Sequence, residues 1–342
     1  MLLFLVPVHA EDFSRHHIVF LFSDLADPFS AQIRTCLEAS CTDRMDIMDA
    51  HGSFWTQADQ VQDAVDSGAD LVCIQSCEYA SLSAAGQLLA PLEAAGIPVV
   101  FFARNIAPSP EKLTQFLADH PGCMFVNHDI NEIGTVQGTA IGEYLCTHYT
   151  DCDLNGDGFI RYVCLQGDPY DPDAVHRSAF AREAANQILE ASGFPPLQWY
   201  DGSDHTALAD PQCMWSAAFA RDTLRDLLSV YSPASGNMIE LIICGCDDMA
   251  NGCINALFHV DLNTDVPGSL CIPVFGVDGT DLAKELIQKG RMTGTVMRSP
   301  EHMARALLET ISLVLDAAPL TPQAGRAEGS CVFPPYEYLG KH

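Results

Sequence analysis

Short β-branched runs alternate with longer amphipathic stretches along nearly all of the 342 residues, and this alternation constrains the fold more than any other feature. The runs at 18–22, 45–48, 71–75, 99–102, 123–126, 160–165, 239–244, 273–277 and 294–297 are predicted as strands. The stretches at 28–40, 82–95, 132–148, 173–191, 214–228 and 281–289 are predicted as helices, with one more long helix ending near 315. Such βαβα order calls for parallel sheets covered by helices on both faces.

The two halves look alike. Pro98-Val99-Val100-Phe101-Phe102 in the first is echoed by Pro273-Val274-Phe275-Gly276-Val277 in the second. A strand running into an Asp/Pro loop and then a helix occurs at 23–28 and again at 168–173. The expected architecture is therefore two Rossmann-like α/β lobes. The first is expected over 15–128 plus 299–330 and the second over 129–298 plus 331–342, with three strand crossings as a hinge. Open α/β sheets carry their binding loops at the carboxyl ends of the strands, and two such edges facing each other would form a cleft.

A net charge of −28 with only 17 Lys plus Arg argues against nucleic acid or anionic lipid as a partner. Residues 1–10, MLLFLVPVHA, are too short to span a bilayer and are read as the remnant of an export signal cut near Ala10. An exported chain, periplasmic or attached to the cell surface, is expected. About sixteen residues precede the first strand, so no DNA-binding helix-turn-helix is expected. Of the 14 cysteines, none forms a C-x-x-C pair. Cys73, Cys164, Cys244 and Cys271 are expected to be small buried hydrophobes. Export favours disulfides, but their pairing is not legible.

The sharpest motif is Asp153-Leu154-Asn155-Gly156-Asp157-Gly158-Phe159-Ile160, the core spacing of an EF-hand loop. It sets three oxygen side chains on one side of a tight coil, with Gly158 at the sharp turn and the Phe159 carbonyl as a further ligand. A structural Ca²⁺ is expected there. The alternative is an Asx-rich turn without metal. The loop departs from an EF-hand at its twelfth position, Cys164, where a bidentate glutamate is expected, and the residues that follow it read as a strand.

Together these features resemble the periplasmic galactose/glucose-binding protein family, type 1 solute-binding proteins of ABC importers, from about residue 18 to 338. The family's calcium loop is likewise followed by a strand, and the resemblance supplies the missing bidentate ligand as Glu240. At the ninth loop position, where the family has glutamine, this chain has Arg161, which cannot ligate a cation.

The resemblance also implies a set of sugar-binding residues. Asp27 and Phe29 match an aspartate and a stacking aromatic, Trp215 the second aromatic, and Asp173, Arg177 and Asp278 the groups that bond hydroxyls. Four positions depart from the family: Ala103 (followed by Arg104), Asp171, Cys246 and Arg298 replace asparagines or a histidine. Arg104, Asp171, Cys246 and Arg298 remain candidate ligand contacts. Carboxylates accept from hydroxyls, guanidinium groups donate to them, and aromatic faces cover C–H faces.

The implied function is a monomeric binder of a small sugar-like ligand. It would close by hinge motion, deliver its ligand to a membrane permease and, in one variant, present it to a chemoreceptor. A sugar acid or another polar solute would suit the arginines equally. A glycoside-processing enzyme would need a paired acid and base, and no catalytic residue is assigned.

Overall fold

The computed structural model describes residues 16–170, 172–212, 214–232, 236–264 and 266–341. The predicted export segment, Asp171 and the side chain of Asp173 lie outside the described residues.

In chain order the first elements are β1 (His17–Phe22), α1 (Pro28–Ser40), β2 (Arg44–Asp49), α2 (Phe54–Asp66), β3 (Leu71–Ile74), α3 (Leu82–Ala95), β4 (Val99–Phe102), α4 (Pro110–Asp119) and β5 (Cys123–Val126). Then come α5 (Glu132–Cys152), β6 (Arg161–Gln166), α6 (Pro172–Ala191), β7 (Gln198–Trp199), β8 (Leu208–Ala209), α7 (Ala217–Leu228), β9 (Leu241–Cys244), α8 (Asp247–Phe258), β10 (Val274–Val277) and α9 (Asp281–Gln288). The chain ends with β11 (Gly294–Arg298), α10 (Pro300–Leu315), β12 (Arg326–Glu328), β13 (Cys331–Phe333) and β14 (Tyr336–Gly340).

These elements form two compact units. One holds the chain up to His128 and Pro300–Pro335, the other Asp129–Ser299 and the segment from Tyr336 onward. The last crossing lies after Pro335, not near Cys331, because β13 pairs in parallel with β5 and so belongs to the first sheet. β14 pairs antiparallel with β11 in the second sheet.

The first sheet runs β12-β13-β5-β4-β3-β1-β2. Successive residues of its strands feed two cores. Val19, Leu21, Val72, Ile74 and Phe101 pack on one face with residues of α2, α3 and α4. Ile18, Phe20, Phe22, Cys73 and Phe102 pack on the other with α1 and α10. Burial on both faces is why these strands read as unbroken apolar runs. The second sheet runs β14-β11-β10-β9-β6-β7, with β8 also on β6. The predicted pair of helix-covered parallel sheets is what forms.

In the second unit α5 and α6 touch backbone to backbone. A Cβ on Gly134 would stand 2.4 Å from the Arg177 carbonyl oxygen, and one on Gly138 would stand 2.1 Å from that of Ala181. These glycines, one helical turn apart, let α6 lie against α5 and so fix where Arg177 starts. Several predicted bounds shift for local reasons. Ser216 caps α7 through its hydroxyl, so that helix starts at Ala217 and Trp215 falls in the loop before it. Cys73, Cys164 and Cys244 are buried as expected, whereas Cys271 is exposed ahead of β10. The thirteen described cysteines are free thiols.

Candidate functional site

In the first unit the candidate residues sit on loops that leave the carboxyl ends of β1 and β4. Asp27 is the N-cap of α1: its Oδ2 accepts from the Ser30 amide at 2.8 Å and from the Ser30 hydroxyl at 2.8 Å. Its role as a cap was not foreseen. Phe29 follows in the first turn of α1, its ring centroid 6.3 Å from that of His128. Arg104 follows Ala103, whose φ of 58° turns the chain sharply after β4.

Beneath these loops lies a buried polar network that the sequence reading missed. The Gln75 amide donates to the Ser30 hydroxyl at 2.9 Å, and the Ser23 amide and hydroxyl donate to Gln75 Oε1 at 3.2 and 3.0 Å. Gln57 donates to the Gln75 carbonyl at 2.8 Å and accepts from the Cys77 amide at 2.9 Å. The network ties the loops after β1 and β3 to α1 and α2. Its only legible sign was polar side chains placed directly after apolar strands.

In the second unit the carboxyl ends of β6, β9, β10 and β11 carry the candidates. Arg177, on α6, donates to the Gly245 carbonyl at 2.5 Å. Its Cζ lies 5.3 Å from the centroid of the Trp215 ring, within cation–π reach. Its buried Nε has no hydrogen-bond partner, so one donor of the fork is left over. The Trp215 ring lies flat against Gly167, where a Cβ would stand 2.0 Å from the indole. No other residue type would admit the ring so closely. Buried Asp210 fixes that loop, accepting from the Ser216 amide at 3.1 Å and the Gln212 amide at 3.0 Å.

Asp278 follows β10 with φ 115°, and Trp215 has φ 52°. Backbone of this kind is costly for residues with side chains and gathers where a side chain must be aimed. Asp278 keeps solvent access, yet burial of its carboxyl raises it to about 6; Arg177 and Arg298 pull it down, and Asp247 and Asp248 push it up. Asp247 braces this loop. It accepts from the Thr295 hydroxyl at 2.7 Å and from the Thr280 amide at 2.8 Å. Cys246 is the N-cap of α8 without a side-chain cap bond; its thiol donates to the Trp215 carbonyl at 3.7 Å, and burial pushes it up to about 12. It therefore stays a thiol at neutral pH. Arg298 ends β11 opposite Tyr336 of β14. The second unit thus brings Arg177, Trp215, Cys246 and Asp278 to one sheet edge.

The predicted calcium loop lies between α5 and β6. Asp153 Oδ1 accepts from the Gly156 and Asp157 amides at 2.8 and 3.1 Å, and its Oδ2 from Gly158 at 2.9 Å. Asn155 Oδ1 accepts from the Asp157 amide at 2.9 Å. Buried Glu240 does reach the loop. Its Oε1 accepts from the Leu154 and Asn155 amides at 2.8 and 3.2 Å, and its Oε2 from the Arg161 amide at 3.0 Å. Asp157 Oδ1 takes the Phe159 amide at 3.0 Å, and its Oδ2 takes the Arg161 guanidinium.

Two doubly wound units, each with polar and aromatic side chains at the carboxyl edge of its parallel sheet, define a solute-binding class of protein. Residues 18–319 match the family model of the periplasmic binding protein domain. The D-galactose/methyl-galactoside binding periplasmic protein MglB of Haemophilus influenzae is 30% identical over 261 residues, spanning 76% of this chain and 69% of that one. A periplasmic ribose ABC transporter structure from Conexibacter woesei superposes with a TM-score of 0.63 at 18% identity, covering 95% of this chain and 91% of that one. An ABC transporter solute-binding protein from Clostridium phytofermentans with bound β-D-glucose gives 0.59 at 17%, covering 95% and 94%. The chain belongs to the periplasmic binding protein family, and within it to the type 1 sugar-binding group that the galactose/glucose-binding resemblance indicated. These relatives bind solutes and are not enzymes. Among the described residues no helix is long and apolar enough to cross a membrane.

Proposed function

We propose that the chain is the exported solute-binding component of an ABC importer. It takes up a monosaccharide-like ligand and presents it to a membrane permease. The observation that carries this reading is the grouping of Arg177, Trp215 and Asp278 at one sheet edge. The grouping offers a guanidinium donor, an aromatic platform and a carboxylate acceptor. That set matches a polyol with adjacent hydroxyls and one apolar C–H face. The relative from Haemophilus influenzae, whose name gives galactose and methyl-galactoside as its ligands, supports a hexose. Arg104 and Arg298 favour a second reading, a sugar bearing a carboxylate.

A thermal-melt panel of neutral aldoses, pentoses, polyols, sugar acids and sugar phosphates tests both. A ligand at a hundred times its Kd adds about 2.7 kcal/mol, a visible shift. A shift with neutral hexoses upholds the first reading. A shift with sugar acids alone assigns the arginines to ligand charge. No shift with any sugar overturns both.

A further inference from the structure

We propose that the loop at 153–161 is closed by an internal cation, the Arg161 guanidinium, in place of the calcium ion that its motif calls for. Backbone amides alone do not decide the matter. A carboxylate oxygen has two lone pairs, and one can accept an amide while the other faces a metal. This is the situation of Asp153 Oδ2, Asn155 Oδ1 and Glu240 Oε2, which accept one backbone amide each, whereas Asp153 Oδ1 and Glu240 Oε1 already accept two. Asp157 differs. One oxygen takes the Phe159 amide, and the other, the one left for a ligand, holds the Arg161 guanidinium.

A calcium ion needs its oxygens at about 2.3–2.6 Å, so an ion on Asp157 Oδ2 would sit against a full positive charge. The guanidinium is not a passing surface group. The Arg161 side chain is 18% exposed, and its backbone is held at both ends. Its amide donates to Glu240 at 3.0 Å, and its carbonyl accepts from the Glu240 amide at 2.7 Å. Arg161 also pairs with Gln198 in the sheet. One residue therefore contacts two of the three acids expected to hold an ion, Asp157 through its side chain and Glu240 through its backbone. It brings only N–H donors where a ligand oxygen would be needed. Among the described residues, no three His, Cys, Asp or Glu side chains are grouped to hold a metal.

The test compares thermal unfolding of the full chain in EGTA and in about 10 mM calcium, without sugar. A site with a Kd near 10⁻⁴ M would then be about a hundredfold saturated, and the midpoint would climb by roughly 5–10 °C. The expected midpoint is the same in both. A rise of that size in the unsubstituted protein overturns the proposal. Arg161→Gln removes the charge and restores an oxygen; it should melt lower in EGTA and recover several degrees with calcium. Arg161→Met removes the charge alone, and should melt lower in EGTA and recover less. If both variants melt like the parent in EGTA, the guanidinium does not close the loop and the proposal falls.

Discussion

The two carboxyl edges are built from different materials. In the first unit the loops are tied from beneath by neutral groups, Ser23, Ser30, Gln57 and Gln75, each bonded to another of the set or to backbone. In the second they are held by charge and close packing: Asp247 under the β10 loop, Arg177 on the Gly245 carbonyl, and Trp215 pressed onto Gly167. In the first scheme the bonded set itself carries no charge, and its link to a carboxylate is Ser30 on Asp27. The second places charged groups where ligand contacts are expected and makes their aim depend on glycine positions. Perturbations of the two edges should therefore differ in kind.

The largest effect should come from the backbone contact that seats α6. Gly138→Ala puts a methyl 2.1 Å from the Ala181 carbonyl oxygen, so the helices must part. Overpacking of this kind costs about 1–3 kcal/mol, occasionally more. Unfolding of the second unit should move to lower denaturant, and ligand affinity should fall with it because α6 carries Arg177. Denaturation followed by fluorescence, with and without ligand, checks both. Gln75→Leu in the first unit should cost about 1–3 kcal/mol, since it strands the buried Ser23 hydroxyl without its partner, while Ser30 keeps Asp27. Because the lost groups are neutral, that loss should stay constant from acid to neutral pH. A loss that varied with pH would break the contrast between the edges.

Why some of this was legible and some not follows from range. The alternation of strand and helix and the crossing at 128–129 leave marks in local pattern, whereas the reach of Glu240 to the loop was indicated by the family resemblance alone. The conformation of Trp215 does not. A hydroxyl cap at Ser216 and a flat seat on Gly167 decide it, and these positions are 49 residues apart. The Asp27 carboxylate was read as a sugar contact, yet its immediate partner is Ser30 three residues on, a spacing that N-caps use routinely. Arg161 was seen as a poor ligand, but only the fold brings its side chain onto Asp157.

Arg177 sharpens the comparison from the ligand side. Arg177→Met keeps much of the side-chain volume but removes the fork. A charge-assisted hydrogen bond contributes about 1.5–3 kcal/mol, so affinity should fall roughly 10- to 150-fold. Calorimetry with whichever sugar shifts the melt reads this directly. Affinity within about twofold of the parent would remove Arg177 from the ligand contacts.

The smallest and most diagnostic effect belongs to Asp278. With its carboxyl raised to about 6 from an ordinary 3.8, the native protein keeps a proton that the unfolded chain releases between those values. The unfolded state then binds fewer protons, so this group's contribution to unliganded stability falls as pH rises through that window. A hydroxyl-accepting role needs the ionised form, so affinity should move the other way. About a tenth of the carboxyl is ionised one pH unit below its pKa, which predicts roughly tenfold weaker binding at pH 5 than well above 6. Asp278→Asn should flatten the pH dependence of affinity while leaving the Gln75 network untouched. Because the same acid should drive stability down and affinity up over one pH window, following both in the parent and the variant distinguishes a ligand-bonding carboxylate from one that only shapes its loop. In the latter case stability would respond to pH and affinity would not.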